Sequence, residues 1–330
     1  MHGGRILIIG RDDIRTLLPM PRCIAVMERA MRETSAGHVL QPPRLAMQLR
    51  NSLNLFGAMI CHSDAATLLG AKLMSVFPDN HDKGMPSHQG FVLLFDPHTG
   101  SPAAILDGFE ITAQRTAAVS AVATAALSID VLSTLAILGT GEQALRHLSA
   151  ICLVRKLQEV RIWGRDRDKT QALAERVREG CPAPVRAAST VAEALDGASI
   201  VCCVSASRTP ILLESMLEPG MHINAVGAST SAAAEIDAAV VPRTRFFVDR
   251  RDMAELNAAE YRRALSEGLI AEGHIVGELG EVLLGRRPGR QAADEITLYK
   301  SLGIPAQDLF AAAEVLEQAR RHGRGTTVTF

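Results

Sequence analysis

The sequence predicts an α/β protein in which a doubly wound parallel sheet is inserted into a mixed α+β domain. Three observations predict this. Short apolar runs alternate with helical stretches between about 134 and 300, the pattern of strands whose connections cover both faces of a sheet. A glycine turn, Gly139-Thr140-Gly141-Glu142-Gln143-Ala144, lies directly between the first of these runs and a helix. The flanking stretches lack the alternation and read as amphipathic helices and antiparallel hairpins. Strand, glycine turn and helix in that order are the setting of a Rossmann-type dinucleotide fingerprint. The expected division is residues 1–118 with about 304–330 as one domain and 119–303 as the nucleotide-binding domain.

In chain order, 21–36 has the spacing of an amphipathic helix, and 44–60 and 68–77 read as strands. Residues 90–106 read as a hairpin turning at Asp96-Pro97-His98-Thr99-Gly100. An Ala-rich helix over 117–129 leads to the strand and glycine turn of 134–142, followed by a helix to about 155. Residues 159–164 form the next strand and 168–179 the next helix. The runs at 198–204, 222–227 and 245–249 supply further strands. A helix at 306–321 returns to the first domain, and the basic run 320–325 reads as a solvated tail.

Composition narrows the function. Hydrophobic residues make up 47% and charged residues 22%, so a large aliphatic core is available. Thirty-five basic against 36 acidic residues leave a net charge of −1, with no electrostatic grip on nucleic acid or anionic lipid. No apolar stretch is long enough to span a membrane. The six cysteines show no CxxC spacing, which points to a reducing, cytoplasmic setting. His62, His81, His88 and His98 lack metal-ligand spacing, so no metal site is expected. The absence of G-x-S-x-G argues against a hydrolase elbow.

Gly139 permits the tight turn, Gly141 lets backbone approach a pyrophosphate, and Ala144 keeps the helix close to its strand. With Thr140 and Gln143 they make the expected cofactor site, phosphates facing the helix amides. A ribose 2′-hydroxyl is usually met by an acid about 20 residues further on, and a 2′-phosphate by arginine. Here the strand ends Trp163-Gly164-Arg165-Asp166-Arg167. Arg165 therefore favours NADP, while Asp166 keeps NAD open.

Three cations stand in apolar surroundings ahead of the turn: Arg44 after two prolines, Lys72 in LLGAKLMSVF and Arg115 in ITAQRTAAVSA. A cation in such a place needs a partner or a ligand. Lysine suits proton transfer because burial lowers its pKa readily, and arginine suits a bidentate carboxylate grip. Met47, Met74 and Phe77 are candidates for setting pocket size.

The segment 87–124, with GAKLMSVF, LGTGEQA, INAVGAS, GELGEVLLG and ITLYKSLG, resembles the ornithine cyclodeaminase/mu-crystallin family over nearly the whole chain. That family includes alanine dehydrogenases and reductases of α-imino acids. The resemblance implies that Lys72 is the active-site lysine and that Arg44 and Arg115 bind the substrate carboxylate. It implies that Thr116 and Ser87 lie near the cofactor phosphate and nicotinamide end, with Val226 and Gly227 beside the ring. It places Ser229 and His88 near the substrate and Lys300 near the active site, the alternatives being a structural hydrogen bond for His88 and an internal ion pair for Lys300, and implies a homodimer built through the non-nucleotide domain. Ornithine cyclodeaminases carry an aspartate within two residues of INAVG, whereas this chain reads Gly227-Ala228-Ser229 and has no acid before Glu235. A serine cannot hold a cationic amine as a carboxylate does. The expectation is an NAD(P)H-dependent interconversion of an α-imino acid (ketimine) and an amino acid. The alternatives are an ornithine cyclodeaminase-type ammonia-lyase and a non-catalytic protein that binds cofactor and small ligands.

Overall fold

The computed structural model describes residues 5–231 and 233–329. It divides into two compact units, one from the chain up to Arg115 with the stretch from Ile304 onward, the other Thr116–Gly303. No helix among the described residues is long and apolar enough to cross a membrane.

The first unit opens with β1 (Arg5–Ile9), α1 (Arg11–Leu17) and α2 (Met20–Ser35). Cys23, Met27, Ala30 and Met31 form the buried stripe of α2, the helical spacing read from the sequence. Four antiparallel strands follow, β2 (Leu45–Gln48), β3 (Leu55–Ser63), β4 (Leu68–Val76) and β5 (His88–Phe95), and β6 (Pro102–Asp107) pairs with β5. The β5–β6 turn is held by Asp96, whose Oδ1 accepts the N–H groups of His98 and Thr99, both at 2.9 Å. The next helix, α3 (Gly108–Leu127), starts well before the expected residue 117. Asp107 Oδ1 accepts the N–H of Glu110 at 2.7 Å and so caps its first turn. Arg115 and Thr116 are therefore helical residues, not part of a lead-in.

The second unit begins with β7 (Ser133–Leu138), α4 (Glu142–Val154), β8 (Leu157–Trp163), α5 (Arg167–Arg178) and β9 (Val185–Ala187). It continues with α6 (Val191–Leu195), β10 (Ile200–Cys203), β11 (His222–Ala225), β12 (Arg245–Val248), α7 (Arg251–Asn257) and α8 (Ala259–Ser266). It ends with β13 (Gly277–Glu278), α9 (Leu279–Leu283) and β14 (Thr297–Lys300). Among the described residues the sheet runs β9-β8-β7-β10-β11-β14-β12-β13, and every pairing is parallel. The order reverses between β7 and β10, as in a doubly wound sheet. Every residue of β7, β10 and β11 is buried, so both faces of these strands are covered; β10 is an unbroken apolar run, while β7 and β11 also bury Ser133, Thr134, His222 and Asn224. The strand β14 escaped the sequence reading because it begins and ends on polar side chains.

Two histidines of this unit are wholly buried. His147 contacts Gln143 O at 2.8 Å and Ser120 Oγ at 2.9 Å, and His222 contacts Thr297 Oγ1 at 2.9 Å. Burial holds His147 down at about 4; burial, then Arg290, holds His222 down at about 3. A histidine freed by unfolding titrates near 6.5. The unfolded chain thus takes up protons first, and the stability these groups contribute is intact above about pH 6.5 and lost on acidification towards 4. Each is expected to cost about 2 kcal/mol at pH 5. Urea midpoints at pH 7 and pH 5 test this, and equal midpoints contradict it.

The chain then returns to the first unit as α10 (Pro305–His322), which packs on α2, β3, β4 and β5. The basic run 320–325 is not a free tail. Arg320–His322 finish α10, Gly323 at φ 61° ends it in the left-handed conformation, and β15 (Thr326–Thr329) pairs antiparallel with β1. The sheet order is β15-β1-β6-β5-β4-β3-β2. Strand register separates its two faces. Lys72, with Met74 two residues on, shares a face with its partners Met59 and Val92. The opposite face carries Leu45, Met47, Phe56, Ile60 and Phe91, all exposed. Met47 therefore points away from the face of Lys72, whereas Met74 shares it.

Candidate active site

Three elements of the first unit converge on one carboxylate. β4 supplies Lys72, α3 supplies Arg115, and the first turn of α10 supplies Asp308. Lys72 Nζ lies 2.7 Å from Asp308 Oδ2, and Arg115 Nε donates to Asp308 Oδ1 at 2.9 Å. Arg115 Nη1 donates to Gln307 Oε1 at 2.8 Å, and Lys72 Nζ reaches Thr112 Oγ1 at 3.4 Å. Gln41 Oε1 accepts the N–H of Ala306 at 3.1 Å, which fastens the chain ahead of Arg44 to the start of α10. Lys72 and Arg115 are 4% and 6% exposed and Asp308 not at all.

Two buried cations share one anion, and the charge of Arg44 also acts on Lys72. Burial brings the Lys72 ammonium down to about 8; Asp308 opposes the shift, and Arg115 and Arg44 add to it. A surplus positive charge in a water-poor place is stabilised by an anionic ligand. A lysine near 8 exchanges protons readily at physiological pH. Asp308 was not singled out from the sequence. The available signal was a lone acid in the apolar stretch Pro305–Ala313, which calls for a cationic partner.

The other first-unit candidates lie further off. Ser87 Oγ contacts His88 Nδ1 at 3.0 Å at the start of β5. His88 pairs with Val76, while Lys72 pairs with Val92, four residues or about 14 Å along the strand. His88 shares the face of Lys72 without reaching it. His62 pairs with Asp64 at 3.1 Å and His98 sits in the β5–β6 turn; the side chain of His81 lies outside the described residues.

In the second unit the glycine turn joins β7 to α4. Gly139 adopts φ 143°, and a Cβ there would sit 2.7 Å from Val204 O, so a larger residue is excluded twice over. A Cβ on Gly141 would meet nothing within 4 Å. Gly141 caps α4 without a side-chain hydrogen bond; the N–H of Ala144 donates back to Gly141 O at 3.0 Å, and the amides ahead of it, those of Glu142 and Gln143, are the ones a ligand can take. Ala144 is buried against the core. Gln143 Oε1 and Thr116 Oγ1 are buried with no hydrogen-bond partner among the described residues. The open glycine cradle fits a phosphate, whose oxygens accept from helix-end amides, and the orphaned Gln143 Oε1, an acceptor, fits a hydroxyl or amide of the same ligand. Thr140 packs where β8 ends, since a Cβ on Gly164 would lie 2.5 Å from its Cγ2.

Arg165 and Arg167 are exposed in the β8–α5 turn. Asp166 caps α5, accepting the N–H of Lys169 at 3.1 Å, and that bond lowers its pKa. One of its carboxylate oxygens, Oδ1, is engaged by the helix. Beyond β11, the N–H groups of Val226 and Gly227 donate to Cys203 O at 3.0 and 3.1 Å, and Ser229 follows, half-buried. Glu235 does not replace the aspartate absent after Gly227. Its buried carboxylate accepts from Ser205 N, Ser205 Oγ and Ala228 N. Lys300 forms a buried ion pair with Glu260 at 3.0 Å.

A model of the ornithine cyclodeaminase/mu-crystallin family matches residues 7–323. The chain is 32% identical over 326 residues to a Delta(1)-pyrroline-2-carboxylate reductase of Bacillus cereus (strain ZK / E33L), covering 98% of this chain and 100% of that one. It is 37% identical over 281 residues to the ketimine reductase mu-crystallin of Mus musculus, covering 85% and 86%. Among solved structures, Delta(1)-pyrroline-2-carboxylate reductase of Thermococcus litoralis, in complex with NADH and L-proline, superposes with a TM-score of 0.95. That pair is 31% identical, with 98% of this chain and 100% of the other covered. On motif, fold and match over nearly its whole length, the chain belongs to the ornithine cyclodeaminase/mu-crystallin family.

Proposed function

We propose that the protein is an NAD(P)H-dependent oxidoreductase that interconverts an α-imino acid and the corresponding amino acid. The observation that carries this reading is the buried Lys72–Asp308–Arg115 cluster, with its surplus positive charge and a lysine poised near 8. The similarity to two kinds of imine reductase supports it. Reduction of C=N to CH–NH takes one hydride and one proton. When bound, a reduced nicotinamide supplies the hydride. Arg115 and Arg44 hold the substrate carboxylate, and orientation of this kind supplies much of a rate. Lys72, as ammonium, delivers the proton to the imine nitrogen; as free amine it takes that proton back in the oxidative direction. Ser229, where a cyclodeaminase has aspartate, supports reduction over cyclisation. A spectrophotometric screen of cyclic imino acids, α-keto acids with amines, and ornithine, each with both cofactors, tests the reading. Ammonia released from ornithine with no net change in nicotinamide absorbance overturns it, as does tight cofactor binding with no turnover of any compound.

The preferred cofactor is NADP. Exposed Arg165 and Arg167, with Asp166 engaged in the α5 cap, support a 2′-phosphate rather than a 2′-hydroxyl. Arg165→Ser is expected to weaken NADPH binding by about 10-fold and leave NADH binding unchanged in fluorescence titrations. Equal effects on both sink the assignment. The exposed apolar face of Leu45, Met47, Phe56, Ile60 and Phe91 supports a homodimer through the first unit, a part that a monomeric mass in sedimentation equilibrium overturns. The free cysteines support a reducing, cytoplasmic setting.

A further inference from the structure

Four neighbouring parallel strands, β7, β10, β11 and β14, end side by side, and buried charge ties the chain segments beyond them together. After β10, Ser205 donates its N–H at 2.6 Å and its hydroxyl at 2.7 Å to Glu235 Oε1. After β11, the N–H of Ala228 donates to Glu235 Oε2 at 3.1 Å. From the end of β14, Lys300 Nζ donates to Ala228 O at 2.6 Å. Behind Lys300, Glu260 of α8 completes an ion pair whose side chains are 2% and 1% exposed. The backbone of Ala228 is thus gripped at its N–H by one buried acid and at its carbonyl by one buried base.

Nothing separates these segments. A Cβ on Gly227 would lie 2.1 Å from Ser205 O and 2.4 Å from Glu235 Oε2, and one on Gly139 would lie 2.7 Å from Val204 O. Replacing buried ionic groups by apolar side chains of the same volume is often neutral or stabilising, so what sets these three apart is the backbone they hold. What they provide is a fixed backbone position, at the carboxyl edge where sheets of this kind bind ligands. Gly227 itself is exposed at that edge.

We propose that Lys300 and Glu235 are positioning residues: by gripping Ala228 from both sides they hold Val226–Ser229 as a rigid shelf for the nicotinamide half of the dinucleotide. This rests on the dinucleotide reading of the glycine turn. The adenosine half is held separately, by the Gly139–Ala144 turn and the β8–α5 turn, so the two halves respond differently when the grip is lost.

Two variants break it. In Glu235→Gln the amide nitrogen confronts the donors of either Ser205 or Ala228. In Lys300→Met/Glu260→Leu the carbonyl of Ala228 loses its donor and the Lys300–Glu260 pair is removed together, while Glu235 keeps its donors from Ser205 and Ala228. Each is titrated with the reduced dinucleotide that the wild type binds best and with its ADP-ribose fragment, which lacks nicotinamide. About 10-fold weaker binding of the dinucleotide is expected, with fragment affinity unchanged. A structural role for the network moves both probes together or neither, and either result overturns the proposal. Should the double variant fail to fold, the isosteric Glu235→Gln carries the test. A wild type that binds neither probe overturns the dinucleotide reading and this inference with it.

Discussion

Replacing Lys72 with Met is expected to lower kcat for imine reduction by about 1,000-fold, within the range that a positioned proton donor supplies, while reduced dinucleotide still binds. The fold should survive because the change removes a buried charge and leaves Asp308 paired with Arg115 at 2.9 Å. The wild-type pH profile carries the same signature. Burial brings Lys72 to about 8, so reduction, which needs the ammonium, falls as pH rises through about 8. Oxidation of the amino acid, which needs the free amine, rises over the same interval. Steady-state kinetics in both directions, with dinucleotide affinity measured separately, check this. Full turnover in Lys72→Met, or identical pH limbs in the two directions, removes Lys72 from the chemistry.

Asp308→Ala is expected to destabilise the protein by about 3–5 kcal/mol, the cost of leaving a buried ion without its partner. The carboxylate is wholly buried and answers two cations at once. Asp308 also opposes the downward shift of Lys72. In a folded Asp308→Asn variant the alkaline limb of the reduction profile therefore moves to lower pH. The double variant Lys72→Met/Asp308→Ala should recover part of the lost stability, because one of the two orphaned cations is gone. Urea denaturation of the four proteins measures the coupling. Strictly additive losses show that the two groups do not interact.

These expectations draw unequally on sequence and structure. The strands and helices around the glycine turn were legible because their periodicity is local. The early start of α3 was not, since it depends on one side-chain cap from Asp107 to Glu110. β14 and β15 lack the apolar run that marks the equally short β10 and β12: TLYK and TTVT are polar at both ends, and each forms only by pairing with distant strands. The basic run at 320–325 looked like a solvated surface because its charges are exposed, yet a left-handed Gly323 turns it back towards β1.

The chemistry divides along the same line. Sequence alone marked Lys72 and Arg115 as cations in apolar surroundings and Gly139–Ala144 as a phosphate turn; the family resemblance marked Ser229 as the residue standing where a cyclodeaminase has aspartate. Burial costs and backbone sterics apply to residue types wherever they stand, so such marks are readable without coordinates. Tertiary structure decided the partners. It brought Asp308 across 193 residues to Arg115, engaged Asp166 in a helix cap, and folded Glu235 and Lys300 onto Ala228. The strength and sense of an electrostatic interaction depend on distance and local dielectric, both created only when remote segments pack together.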